Sequence, residues 1–98
     1  MLTRRGTEFS CFAELVGFHI ENYTVPQYGD APNDQVQEWT ENQCMDSIKR
    51  YSNRFESNAR GRIETLRDML KIAHFAGLIF GKLNPTEEEI KELAKGGY

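Results

Sequence analysis

An all-α fold, a small bundle of three to four helices with a long ordered N-terminal loop segment, is what this sequence predicts. Three observations lead there. Residues 62–83, RIETLRDMLKIAHFAGLIFGKL, are apolar around most of a helical axis, two further segments carry helix-start signals, and no set of alternating segments offers a sheet. At 98 residues the chain is expected to form one domain over residues 1–98, with a thin core.

The first element is expected over 7–18. Phe9, Phe12, Ala13 and Val16 recur at helical spacing, with Thr7 as the N-cap ahead of Glu8. Phe18 and Ile20, flanking His19, also suit a strand, and that alternative stays open. Residues 23–39 read as a loop. Pro26, Pro32, Gly29-Asp30 and Asn33-Asp34 are turn chemistry, while Tyr23, Val25, Tyr28, Val36 and Trp39 can anchor it to the helices. A short helical turn over 33–38 is a further expectation within it.

The second helix is expected over 41–57. Thr40 and Gln43 have the spacing of a capping box, and Trp39 that of a hydrophobic staple on Cys44. Cys44, Ile48, Tyr51 and Phe55 form one stripe, and Asp46 stands one turn before Arg50 as a surface pair. Asn58 and Gly61 are the expected stop.

The central helix is expected over 62–82. Ile63, Leu66, Leu70, Ala73, Gly77 and Phe80 make its stripe, widened by Met69, Ile72, Ala76, Ile79 and Leu83. A helix apolar on so many sides needs cover from more than one neighbour, and the short connection predicts that the two stripes face each other. A C-terminal helix is expected over 85–95, with Asn84 as N-cap, Pro85 at the first position and Gly96 as terminator.

Composition narrows the function classes. A hydrophobic share of 39% and a charged share of 28% fit a globular chain that folds without a cofactor. Charged residues break the longest apolar run, so no membrane span is expected. Glu8 and Glu14 interrupt the run that follows Arg4 and Arg5, which argues against a signal peptide, and a cytoplasmic location is expected. Asn22-Tyr23-Thr24 then reads as a chance match to the glycosylation pattern. Cys11 and Cys44 lack zinc-site or disulfide-framework spacing and are expected to be reduced.

The net charge is −3, yet residues 49–71 are basic. Arg50, Arg54, Arg60, Lys71 and His74 are the candidate phosphate ligands, because guanidinium forks match phosphate oxygens. Glu64 and Asp68, about one turn apart, are the candidate metal pair, with magnesium as the ion. Salt bridges to the neighbouring arginines explain the same carboxylates. An acidic chain with no groove-reading motif argues against nucleic acid. No nucleophile elbow or glycine-rich phosphate loop appears, and whether the chain is an enzyme stays open.

Three segments, YTVPQYGD at 23–30, RYSNRF at 50–55 and LRDMLKIAHF at 66–75, resemble a family of small uncharacterised helical proteins of bacteria and their phages. The tyrosine-glycine-aspartate ahead of an acid-bearing helix also resembles MazG-type, all-α nucleotide pyrophosphohydrolases. That likeness implies magnesium-dependent nucleotide chemistry. The chain departs from the pattern: Glu64 and Asp68 are spaced one residue wider, and the preceding helix offers only Glu41 and Asp46. The leading expectation is a non-enzymatic helical module that self-associates, as a homodimer, or binds a protein partner through the Met69–Leu83 surface. The alternative is nucleotide or phosphate-ligand handling through the arginine-rich helix-turn-helix.

Overall fold

Residues 3–30, 39–57 and 60–96 are described by a computed structural model of the chain, and every regular element among them is helical. Helix α1 spans Arg4–His19, a π-helical turn covers Ile20–Thr24, and a single turn, α2, covers Val25–Tyr28. Helices α3 (Glu41–Ser57), α4 (Arg62–Lys82) and α5 (Glu87–Ala94) follow. The expected helical turn over 33–38 and the Asn58 stop lie outside the described residues.

The N-cap of α1 lies four residues earlier than the sequence suggests. Thr3, not Thr7, is the N-cap: its side chain accepts from the Gly6 amide at 3.1 Å. The helix also runs further than expected, taking Tyr23–Tyr28 out of the anticipated loop. Pro26 has no amide proton and its ring crowds the carbonyl four residues back, which ordinarily ends a helix. Here the backbone widens just before it, with Val25 donating to the Ile20 carbonyl five residues earlier, and the chain stays helical past the proline. Gly29, at φ 86°, then stops it.

The start of α3 is as the sequence states. The Gln43 amide donates to Thr40 Oγ1 at 3.1 Å and the Thr40 amide to Gln43 Oε1 at 2.8 Å, a reciprocal capping box. The same device opens α5, two residues later than expected. Thr86 is its N-cap and Glu89 the reciprocal acceptor, while Asn84, with φ 52°, is the left-handed residue just past the end of α4.

The pairing of α3 with α4 is the spine, and α1 leans on α4 from another side. Along the spine, Arg54 near the end of α3 meets Asp68 near the start of α4, and Tyr51 meets Lys71 and Phe75 one to two turns on, so the helices run antiparallel. Trp39, just before α3, stacks on Phe75 with ring centroids 5.9 Å apart. The expected Asp46–Arg50 pair is replaced by a cation–π contact, with the Arg50 guanidinium 5.2 Å from the centre of the Tyr51 ring.

The rotation of α4 differs from the expectation. Its side toward α3 carries Asp68, Lys71 and Phe75, whereas the stripe expected to meet α3 turns outward. Ile63 is 61% exposed, Leu66 48% and Phe80 51%. Cover on more than one side is given by α3 and α1, but the third side is bare. Among the described residues Cys44 is the one buried hydrophobic side chain, joined by Ser47 and Asp68. Every residue of α5 is exposed. Cys11 and Cys44 are both free, and burial pushes the Cys44 thiol up from its ordinary value.

The buried polar contact of the spine is the Arg54–Asp68 pair, with Nε to Oδ2 at 3.2 Å and a second, shorter bond from Nη2 to Oδ1. The Asp68 side chain is only 6% exposed. Removing one partner from such a pair strands a buried charge, at about 3 kcal/mol, against a total of roughly 5–15 kcal/mol for a small domain. Arg54→Ala is therefore expected to lower the urea midpoint severely. Arg54→Met combined with Asp68→Leu is expected to recover most of the loss. Equal losses in the single and double variants would contradict the account.

Candidate functional site

Tyr51 sits at the centre of the basic region. Its ring has the Arg54 guanidinium at 4.9 Å, that of Arg50 at 5.2 Å and the Lys71 ammonium at 5.3 Å from its centroid. Each such contact contributes about 0.5–1 kcal/mol at an exposed site, while the three cations repel one another. Only Arg54 has a carboxylate partner. No ion pair forms at Arg50 or Lys71 among the described residues.

Beside this ring lies a cavity of about 140 Å³ between the π-helical turn, α3 and α4. Arg50, Tyr51, Lys71, His74 and Phe75 line it from α3 and α4. His19 and Tyr23, stacked with centroids 5.0 Å apart, line it as well, together with Thr24, Gln27, Tyr28 and Trp39. Among the described residues no aspartate or glutamate lines it. In a chain with 15 acidic against 12 basic residues, that is a local reversal of the overall charge.

The candidate phosphate ligands therefore separate into two groups. Arg50, Lys71 and His74 come together in the cavity. Arg54 is committed to Asp68, and Arg60 lies 3.7 Å from Glu64. The candidate metal pair is occupied as well: Asp68 receives both Arg54 bonds, and Glu64 accepts from Arg67 at 2.5 Å while also meeting Arg60. Among the described residues no group of three or more His, Cys, Asp or Glu side chains is placed to hold a metal ion.

His19, Tyr23, Gln27 and Trp39 had no role in the sequence reading of this site. Tyr23 and Gln27 fall in the expected loop, and their four-residue spacing from His19 is the local signal of their place on a helix. Trp39, expected as a staple on its own helix, stacks across to Phe75 of α4.

Both histidines are shifted by their surroundings. Desolvation, then the charges of Lys71 and Arg67, lower His19, while desolvation and then His19 lower His74, each from an ordinary 6.5. Both shifts favour the neutral imidazole over a further positive charge beside Arg50 and Lys71.

Comparisons with protein-family models, curated proteins and solved structures found nothing that matches this chain. No described helix is long and apolar enough to cross a membrane.

A histidine whose folded-state pKa lies below its unfolded value binds its proton less readily in the native protein. Stability is undiminished above about pH 6.5 and falls as the pH drops below it. A melting temperature that declines between about pH 6.5 and pH 5, with a shallower decline in His74→Gln, is the expected outcome. Identical slopes in the two proteins would show that His74 is not responsible.

Proposed function

We propose that the chain is a helical self-association module whose partner is a second copy of itself, docked through the outward face of α4. The observation that carries the reading is the exposed stripe of Ile63, Leu66 and Phe80, with Gly77 between them and nothing within 4 Å of where a Cβ there would lie. The whole chain exposes 7869 Å². A compact monomer of its mass exposes about 5,700 Å², and a standard interface takes about 800 Å² from each partner. The radius of gyration is 15.1 Å, where about 13 Å is usual for this length.

The stripe also has the symmetry that a two-fold contact requires. In an isologous interface residue i meets residue j and j meets i. Leu66 and Phe80 lie equally far on either side of Ala73, as do Ile63 and Leu83. Two α4 helices crossing antiparallel at Ala73 would set Leu66 of each copy against Phe80 of the other. The small side chains Ala73 and Gly77 let the helices approach closely at the crossing. Burying an exposed leucine or phenylalanine contributes about 1.5–3 kcal/mol, so a few such pairs outweigh the ordering of the interface.

Sedimentation velocity across micromolar to millimolar concentration is the test, with a dimer expected. Leu66→Lys and Phe80→Glu are each expected to yield monomers. The doubly substituted chain, which places lysine against glutamate across the two-fold, is expected to regain the dimer. A strict monomer at the highest concentration would overturn the reading, and a dimer indifferent to both substitutions would place the interface elsewhere.

A further inference from the structure

The cavity beside Tyr51 stands apart from the α4 stripe, on the side of α4 that faces α1 and α3, and carries its own chemistry. Its two cations, Arg50 and Lys71, come from different helices, converge on one ring and have no ion-pair partner among the described residues. Two positive charges with no ion-pair partner among the described residues match the roughly −1.5 to −2 charge that a phosphomonoester carries at neutral pH. The arginine fork and the lysine point charge are the two usual donors to such a group.

Apart from Thr24 and Gln27, the rest of the lining is aromatic. The His19–Tyr23 stack, with planes 17° apart, faces the cavity from the π-helical turn, and Trp39 borders it from the start of α3. Aromatic faces of this kind accept a planar heterocycle by stacking, without regard to its identity. The volume is about 140 Å³, whereas one ordered water needs only about 10–15 Å³.

We propose that this cavity binds a phosphate monoester carried on a planar ring, of the class of a nucleoside monophosphate, with Arg50 and Lys71 on the phosphate and the ring against the aromatic walls. No metal enters the contact, because Glu64 and Asp68 lie outside the cavity lining and are held by arginines. The site is independent of the dimer reading, since none of Ile63, Leu66 and Phe80 lines it.

Isothermal titration of the full chain at low salt, with chelator present, tests it using adenosine 5′-monophosphate, uridine 5′-monophosphate, adenosine and inorganic phosphate. Both nucleotides are expected to bind, and adenosine and phosphate to bind at least about tenfold more weakly. Arg50→Gln and Lys71→Gln, each checked for native helicity by circular dichroism, are expected to weaken nucleotide binding about tenfold apiece. Leu66→Lys, outside the cavity, is expected to leave it unchanged even where it abolishes the dimer. Absence of nucleotide binding, binding of phosphate as tight as that of the nucleotides, a requirement for magnesium, or full affinity in both well-folded variants would each overturn the proposal.

Discussion

The Arg54–Asp68 pair decides how the two long helices meet, and most other features follow from it. A carboxylate as buried as that of Asp68 must be matched by a cation with good geometry, and the paired bonds from Arg54 supply both charge and direction. With Asp68 turned inward, Lys71 and Phe75 lie one and two turns along the same side of α4 and meet Tyr51. The aromatic cluster of Trp39, Tyr51 and Phe75 then packs behind the ion pair. The opposite side of α4, with Leu66 and Phe80, is carried outward by the same rotation.

That rotation sorts the arginines. The basic segment looks uniform along the chain, but in space one arginine serves as a structural counter-charge, others pair with Glu64, and Arg50 remains with Lys71 over the Tyr51 ring. Exposed pairs such as Arg60–Glu64 contribute little stability, about 0–1 kcal/mol, whereas a buried one is costly to break. The distinction between a charge that holds the fold and a charge left for a ligand is therefore one of burial and partner.

The balance of buried surface bears on both proposals. One buried hydrophobic residue among those described is little for a domain to rest on, and exposed Phe9, Leu15 and Phe18 on α1 add to the bare face of α4. Covering that face with a second copy would add apolar burial that the single chain lacks, and the cavity, lined by Lys71, His74 and Phe75, draws on another side of α4.

Helix existence was legible from local chemistry: the Thr40–Gln43 capping box, the end of α3 at Ser57, the span of α4 and the Gly96 terminator are all found as read. Where boundaries differ, two local signals competed, as with Thr3 against Thr7 and Thr86 against Asn84, and the residue whose side chain could reach its third amide prevailed. The continuation through Pro26 runs against the strongest local signal, because proline ordinarily ends a helix and only the widened π turn keeps the chain helical past it. Of the candidate site, the cationic half was visible as composition and the aromatic half was not, since Tyr23 and Trp39 reach it only through the path of the backbone. Sequence alone determined the helices, because caps and periodicity act within a few residues. Tertiary structure alone decided which side of α4 is inside, because a helix apolar nearly all round leaves its orientation to the single long-range pair that cannot be buried any other way.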